Sequence, residues 1–500
     1  MTRGSETLRN WNVRKTIVAR EEMSEHHRLA QTLSWPHLIA LGVGAIVGTG
    51  ILTLTGVGAA KAGPAVILSF AIAGVICACA ALAYAEMATM YPASGSAYTY
   101  SYVVFGELIA WVVGWSLILE YSLVVSAVAV GWSGYASGFL QSIGMAMPAA
   151  LTNGPELGGL VNLPAIFIIA VVAGLLIYGT RESATLNAFL VVVKLLALAL
   201  FIAVCLQVFD IANFEPFMPH GFAKHWGAGP DGKPLEVGVM AAAAIIFFAF
   251  YGFDAIATAA EEAKNPDRDL AIGIVGSMVM CVLIYMAVAA AAIGALAYTH
   301  FANSPEPLAL ILRGIGQDWA ARILGLSAVI ALPTVILAFF YGQSRIFFVM
   351  ARDGLLPQRL ANVSKRGTPV RITVFTAIIV SLIAGIFPLE EIAALANAGT
   401  LAAFVAVCAA MLTMRRRDPD APRKFNTPLP WVIGLIGIAG CLYLFWSLPV
   451  KTQTYFLIWN IIGLIVYMVY SSPRAEQARA ADAVRLSGQP AVPTEAGTIS

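Results

Sequence analysis

Three glycines interrupt the first hydrophobic segment of the chain, where residues 42–56 read GVGAIVGTGILTLTG. Gly44, Gly48 and Gly50 lie at mid-depth of a run that is apolar enough to cross a bilayer. Because a glycine inside a helix costs about 1 kcal/mol relative to alanine, three of them predict tight helix packing or an unwound segment. Unwound backbone occurs at membrane depth only where it is buried in protein or lines a cavity. It exposes amides on one side and carbonyls on the other, which suits the carboxylate and the ammonium of a zwitterion.

A second interruption lies on the sixth predicted span, where residues 247–274 read FFAFYGFDAIATAAEEAKNPDRDLAIGI. Gly252 stands inside an aromatic cluster, and Asp254 follows it. Glycine-interrupted spans at corresponding positions of two halves indicate an inverted repeat with a binding site between the halves. The alternative is a glycine kink in a continuous helix.

One lysine lies deep inside the fifth predicted span. Lys194 occurs in LVVVKLLALALF, with apolar neighbours for a full turn on each side. An ionisable group at this depth is costly and therefore indicates a function. Desolvation favours the neutral amine, so a buried lysine can load and release a proton near physiological pH. We expect Lys194 to be a proton-coupling residue; the alternative is an ammonium held permanently by backbone carbonyls.

Three further spans contain charged side chains. Glu120, in WSLILEYSL, is the most isolated carboxylate, and it is either a partner that bridges helices, a proton carrier or a counter-ion for a cationic ligand. Asp254 suits a capping role at the second interruption, with a ligand contact as the alternative. Arg345, near the end of the eighth span, is expected to pair with Glu261, Glu262 or Asp254, either as a gate or as a structural pair.

The composition is that of a polytopic membrane protein. Hydrophobic residues make up 59% of the chain and charged residues 12%, against about 25% charged in an ordinary globular protein. We predict an all-α fold in which residues 36–471 form the membrane domain, between an N-terminal segment at 1–35 and a disordered tail at 472–500. The twelve predicted spans are 36–56, 64–90, 106–140, 162–179, 185–208, 236–260, 269–297, 322–351, 370–388, 391–414, 429–447 and 453–471.

The distribution of lysine and arginine predicts the orientation in the membrane. With an even number of spans both termini share one side, and the bias between the two sides is about 22 to 6. Both termini are therefore predicted to be cytoplasmic. Residues 95–105 are predicted to form a separate piece before the long third span, and residues after Pro307 an amphipathic stretch in an external loop.

Other classes of protein fit less well. The six cysteines all fall in apolar segments, so we predict no disulfide and no metal site. Residues 131–134 read GWSG, which matches a short motif of intramembrane serine proteases, but no histidine lies well inside a span to act as a base. There is no nucleotide-binding motif, no basic stripe for nucleic acid and no filter-like loop of a channel.

Four stretches together resemble cationic amino acid transporters and their bacterial relatives, in the amino acid–polyamine–organocation superfamily. These are the two interrupted helices, YAEMATMYPASGSAYTYSYVVFGELIAWVVGWSLILEY from Tyr84 and YGQSRIFFVMARDGLLP from Tyr341. The resemblance covers roughly residues 30–470. It implies a five-plus-five inverted repeat, with repeats at about 36–208 and 236–414, broken first and sixth helices, and two extra helices at about 429–471. It also implies a multi-pass location in the bacterial inner (plasma) membrane.

The resemblance also implies the site. A lysine on the fifth span would replace the ion of sodium-coupled relatives, and Glu120 matches a glutamate that matters for transport in the family. Phe248 or Phe250 would cover the ligand, with ordinary packing as the alternative for each ring, and Leu332, Thr334 and Val335 of the eighth span would set specificity. The substrate carboxylate would lie on the amides of Gly48, Thr49 and Gly50, and its amine on the carbonyls of Ile46, Phe248, Ala249 and Tyr251.

These features together predict a secondary amino acid transporter that imports its substrate with a proton by alternating access. The proton is the coupling ion, no other cofactor is expected, and the partners are an amino acid and the lipid bilayer. The alternative is an exchanger of cationic amino acids or polyamines; a channel or an intramembrane protease is remote. The residues leave open which amino acid is carried, whether Glu120 and Asp254 contact it, and the oligomeric state, a monomer included.

Overall fold

Helices dominate the structure. A computed structural model describes residues 13–15, 33–93, 95–178, 184–229, 232, 234–302, 304–357 and 370–475. Within these residues, nine helical runs are long and apolar enough to cross a membrane, and two shorter apolar helices, Leu163–Tyr178 and Val370–Ile386, accompany them. The predicted disordered tail lies outside the described residues from 476 onward, as do most of residues 1–35.

The first half of the chain forms eight α-helices. They are α1 (Trp35–Ile46), α2 (Thr49–Ala62), α3 (Val66–Met90), α4 (Ser96–Val104), α5 (Glu107–Ser142), α6 (Ala149–Thr152), α7 (Leu163–Tyr178) and α8 (Ala184–Cys205). The separate piece predicted at residues 95–105 is α4. The long third span is a single helix of 36 residues, α5.

The second half begins with an antiparallel hairpin of β1 (His225–Ala228) and β2 (Pro234–Val237). Its helices are α9 (Val239–Ile246), α10 (Asp254–Thr258), α11 (Pro266–Ala295), α12 (Pro307–Gly314), α13 (Asp318–Arg352), α14 (Val370–Ile386), α15 (Leu389–Arg417), α16 (Pro430–Ser447) and α17 (Val450–Val466). The amphipathic stretch predicted after Pro307 is α12.

At both glycine interruptions the backbone leaves the helical conformation, so each span is a broken helix. Helix α1 ends at Ile46, Val47 is extended, and α2 begins after Gly48, whose backbone is also non-helical (φ −143°, ψ −147°). Helix α9 runs into a 3₁₀ turn at Phe247–Ala249, and α10 starts only after Gly252. The glycine-kink alternative for the second interruption is therefore wrong in this structure.

The two broken helices lie in the interior, and the last two helices lie at the periphery. All of the most apolar stretch of Val239–Thr258 is buried, against 28% for α16 and 17% for the run that starts at Val450. Helix α1 packs against α8, α11 and α13, and α9 packs against α2, α3 and α15. The break backbones are thus shielded by protein, as unwound backbone at membrane depth requires.

Candidate functional site

The two breaks touch each other backbone to backbone. A Cβ on Gly50 would lie 2.3 Å from the Cα of Ala249, and a Cβ on Gly252 would lie 3.0 Å from the carbonyl carbon of Ala45. Gly252 also has a φ of +122°, which residues with a side chain rarely adopt. These two glycines therefore allow the two segments to approach closely, which any side chain at either position would prevent.

The first break presents amide groups at the N-terminus of α2. The first amides of a helix have no acceptor within the helix, which applies to Thr49 and Gly50 after the N-cap Gly48. The Thr49 hydroxyl is directed elsewhere, since it donates to the Val128 carbonyl (3.4 Å) on α5. A Cβ on Gly131 would lie 2.2 Å from the Thr49 methyl, so the GWSG stretch provides room for this contact.

Two side chains hold carbonyls at the ends of the first half-helices. Tyr285 of α11 donates its hydroxyl to the Ile46 carbonyl (2.8 Å), the last of α1. Asn397 of α15 donates its amide to the carbonyls of Ala244 (2.7 Å) and Ile245 (3.1 Å) near the end of α9. Neither residue was predicted from the sequence, although each is a polar side chain within an apolar span. The Ile46 carbonyl, which we expect to meet a substrate amine, accepts a hydrogen bond from Tyr285 in this structure.

Of the two aromatic residues proposed as a cover, Phe248 lies nearer to the other predicted site residues. Its ring contacts the ring of Tyr251 edge to face at 5.0 Å. The Tyr251 hydroxyl is buried and has no hydrogen-bond partner among the described residues. Phe250 instead packs against Phe70 (6.0 Å) and Tyr285 (5.1 Å).

Lys194 joins three helices. Its Nζ donates to the carbonyl of Gly44 in α1 (2.9 Å) and to the hydroxyl of Thr334 in α13 (3.1 Å), and the residue is 5% exposed. The ammonium thus binds the first broken helix two residues before that helix ends. This geometry fits a proton-carrying lysine and also fits an ammonium held permanently by the backbone.

The residues proposed for specificity face different neighbours. Val335 lies over the first break, because a Cβ on Gly48 would be 3.4 Å from a Val335 methyl. Leu332 lines a small cavity beside Lys194, together with Val47. Val335 therefore lies against the first break, and Leu332 faces the cavity beside Lys194.

Asp254 is the first residue of α10, and both of its carboxylate oxygens accept hydrogen bonds. Tyr121 of α5 donates its hydroxyl to Oδ2 (2.9 Å), and the Gly252 amide donates to Oδ1 (3.0 Å). The carboxylate binds back to the break and to α5. It does not pair with Arg345.

Glu120 lies one residue before Tyr121 and is 1% exposed. Its two carboxyl oxygens accept no hydrogen bond within the described part of the chain. The Thr400 hydroxyl, on the neighbouring α15, lies beside this carboxyl group and donates to the Ala396 carbonyl. A buried carboxyl group in this state is a costly feature that packing alone does not explain.

The expected ion pair of Arg345 is formed with Glu262. The guanidinium also donates to the Thr258 carbonyl (3.1 Å) and contacts the Tyr341 hydroxyl. These contacts join α13 to the segment that follows α10. The side chain of Glu261 lies outside the described structure.

Backbone hydrogen bonds connect the segment before α1 to the segment after α10. The Leu33 amide donates to the Glu262 carbonyl (3.0 Å), and the Lys264 amide donates to the Leu33 carbonyl (2.7 Å). The residue that precedes the first broken helix is thus paired with the segment that follows the second. Both half-helices are connected to α13 through Glu262.

At the opposite end of the breaks, one ion pair connects α2 to α15 and another lies between α12 and the loop before it. Lys61 of α2 pairs with Glu390 of α15 (2.8 Å), and Glu306 pairs with Arg313 (2.5 Å). Burial raises the pKa of Glu306, and the Arg313 guanidinium opposes that rise. At this end it is the Lys61–Glu390 pair that joins separate helices.

A polytopic helical protein whose two broken helices cross in its interior belongs to the class of membrane transporters. The family model described as amino acid permease matches residues 33–470, and the chain belongs to this family. It is 44% identical over 439 residues to a branched-chain amino acid permease of Bacillus subtilis (strain 168), covering 87% of this chain and 91% of that protein.

Two other relatives extend the comparison. A methylthioribose transporter of Bacillus subtilis (strain 168) is 40% identical over 462 residues, covering 92% of this chain and 97% of that protein. A vacuolar cationic amino acid transporter of Arabidopsis thaliana is 36% identical over 436 residues, covering 84% of this chain and 66% of that protein. The chain is accordingly a multi-pass membrane transporter and not an enzyme.

Proposed function

We propose that the protein is a secondary active transporter that imports amino acids together with protons by alternating access. The observation that carries the proposal is the hydrogen bond from Lys194 to the Gly44 carbonyl. A charged ammonium binds a carbonyl more strongly than a neutral amine does. Loading a proton on Lys194 would therefore change the backbone of the first break, where the substrate is proposed to bind. The proton is the coupling ion, and no other cofactor enters the proposal.

The proposed substrate site lies between the two breaks. The carboxylate would bind the amides of Gly48, Thr49 and Gly50, where the positive end of the α2 dipole favours an anion. The amine would meet carbonyls at the ends of the two half-helices, and Phe248 would cover the ligand. The carbonyls in this proposal are those of Ile46, Phe248, Ala249 and Tyr251.

Neutral amino acids are the substrate class that we favour. Val335 and Leu332 are buried apolar side chains of α13, and Val335 lies over the amides of the first break. Burying a charged side chain against them would carry a desolvation cost that an apolar side chain avoids. The relative named as a branched-chain amino acid permease is consistent with this choice.

An exchanger of cationic amino acids is the second candidate. It is favoured by Glu120, whose buried carboxyl oxygens have no partner among the described residues, and by the relative named as a cationic amino acid transporter. In that case Glu120 would be the counter-ion of the substrate, and Lys194 would have a structural role.

The membrane arrangement in this proposal has twelve crossings. The 56-residue run Trp35–Met90 contains two of them, and the two shorter apolar helices supply two more beside the eight remaining runs. Two inverted repeats would begin at the two broken helices, and α16 and α17 would be peripheral. Both termini would be cytoplasmic in a plasma membrane, so Arg345 and Glu262 would form the inner gate. All of the proposed binding groups come from one chain.

Uptake of radiolabelled leucine, alanine and arginine into proteoliposomes tests the proposal. We expect an inward proton gradient to drive accumulation of alanine or leucine by the wild type, and Lys194→Ala to abolish that accumulation. As a matched control, Lys451→Ala removes a lysine that pairs with Glu391 at the protein surface and should leave uptake unchanged.

Two results would contradict the proposal. Accumulation that ignores the pH gradient but requires internal amino acid would indicate exchange. Arginine uptake that survives in Lys194→Ala would assign Lys194 a structural role and favour the second candidate.

A further inference from the structure

Lys194 and Asn397 occupy equivalent places in the two halves of the chain. Counting helices of at least 16 residues, Lys194 lies on the fourth helix after the first break and Asn397 on the fourth after the second. Lys194 donates to the Gly44 carbonyl, two residues before α1 ends. Asn397 donates to the Ala244 carbonyl, two residues before α9 ends. Each broken helix thus receives a donor from the corresponding helix, two residues before its first α-helical part ends.

The orientation of the Asn397 amide follows from its neighbours. Nδ2 lies 2.7 Å from the Ala244 oxygen and 3.1 Å from the Ile245 oxygen. A reversed amide would place Oδ1 against two carbonyl oxygens, which repel it. Both N–H groups are therefore directed to α9, and the residue is 0% exposed.

These carbonyls need a protein donor. The last carbonyls of a helix have no partner within its α-helical part. The Ile245 carbonyl accepts from the Phe247 amide as well as from Asn397, and the whole apolar stretch of Val239–Thr258 is buried, which keeps water away. A buried carbonyl without a donor costs about 1–3 kcal/mol. Asn397 therefore stabilises the end of α9 in the broken form, and Phe248 and Ala249 follow within four residues.

We propose that Asn397 is a positioning residue for transport, the permanently neutral counterpart of Lys194. The proposal rests on the proposed function, since it assigns the proton response to one of two similar contacts. An ammonium can lose its proton, whereas an amide cannot titrate. The first broken helix would then respond to proton loading, while the second keeps a constant geometry and holds the carbonyls that meet the substrate amine.

The variant Asn397→Asp makes this contact titratable and tests the proposal. A carboxylic acid can donate one hydrogen bond to α9 while it is protonated, but an ionised carboxylate repels the carbonyls. We expect exchange uptake, measured at equal pH on both sides and divided by the wild-type value, to fall about tenfold or more between about pH 5.5 and about pH 8. Binding affinity measured by substrate-induced thermal stabilisation should fall over the same range.

The matched control is Asn460→Asp, on the peripheral helix α17. Asn460 also donates its amide to a carbonyl inside a span, that of Phe456 (3.0 Å), but far from the breaks in the fold. Its relative uptake should not change with pH. A structural role alone would lower the melting temperature of Asn397→Asp without producing a pH profile in transport.

Asn397→Leu removes the donors without adding a charge and should lower uptake about tenfold at every pH. The proposal is overturned if Asn397→Leu transports like the wild type. It is also overturned if folded Asn397→Asp keeps a constant activity ratio across the pH range. If the wild type itself transports no amino acid, the proposed function fails instead, so the two failures are distinguishable.

Discussion

At the scale of single residues, buried ionisable groups are the costly features of this protein, and three of them have partners that offset part of the cost. Lys194 has a carbonyl and a hydroxyl as acceptors, and Asp254 has two donors. Glu306, in the loop before α12, has the guanidinium of Arg313 but is also largely buried. Burial and the ion pair shift the pKa of Glu306 in opposite directions, and the change of stability with pH shows which effect is larger.

The pH dependence of stability shows the direction of the pKa shift of Glu306. Burial raises the pKa of Glu306 despite Arg313, so the folded protein binds this proton more tightly than the unfolded chain. The contribution of Glu306 to the free energy of unfolding therefore decreases as pH rises from its ordinary pKa through the raised value. Glutamine at this position does not titrate. We expect the melting temperature of Glu306→Gln, relative to wild type, to increase between about pH 4 and about pH 7.

Thermal unfolding of the detergent-purified protein, followed by intrinsic fluorescence, measures this difference. If the relative melting temperature of the variant decreases over the range, the ion pair with Arg313 outweighs the burial of Glu306, contrary to our expectation.

At the scale of helices, the two glycines of the first break differ in how strictly the structure requires them. Gly48 allows the chain to leave the helical conformation, yet its φ of −143° is open to any residue and its nearest neighbour is a flexible Val335 methyl at 3.4 Å. Gly50 is inside α2 but lies against the backbone of Ala249. Helix propensity alone would predict the same effect of alanine at both positions, whereas the packing contacts predict a large effect only at Gly50.

Alanine substitution separates these reasons. We expect Gly50→Ala to abolish uptake, because its Cβ would lie 2.3 Å from the Ala249 Cα and would force the two breaks apart. Gly48→Ala should retain uptake within about threefold, since only a side-chain methyl must adjust and a contact of this size costs well below 1.4 kcal/mol. Uptake in proteoliposomes with equal amounts of reconstituted protein is the measurement, and equal activities of the two variants would contradict the argument.

At the scale of the whole molecule, the two broken helices are buried, and α16 and α17 pack around the outside. Helix α17 is fastened to α5 by a reciprocal pair of tryptophans. The Trp115 indole donates to the Trp459 carbonyl (2.9 Å), the Trp459 indole donates to the Trp115 carbonyl (3.0 Å), and the rings stack at 4.7 Å. None of these atoms belongs to the proposed site.

Trp459→Leu should therefore separate stability from transport. We expect a loss of about 2 kcal/mol, from one hydrogen bond and one ring stack, with uptake within about twofold of wild type when compared per folded protein. Trp446→Leu is the control, because Trp446 is 72% exposed and faces outward. Loss of uptake in Trp459→Leu without loss of stability would show that α17 takes part in transport.

The local features of this protein could be predicted from sequence because they depend on neighbouring residues. The breaks follow from glycines within apolar runs, and the helix positions follow from hydropathy, so α3 ends at the predicted residue 90. The family follows from the same motifs that form the breaks. Arg345 was predicted to choose among three nearby carboxylates, and it pairs with Glu262.

The partners of the buried polar groups were decided by tertiary structure alone. Asn397 binds carbonyls 153 and 152 positions away, and Tyr285 reaches Ile46 across 239 positions. Hydropathy reports how deep a residue lies but not the direction of its side chain or the helix it meets. Since a carbonyl at a helix end can be satisfied by any donor that the fold brings within reach, only the packed structure determines which one it is.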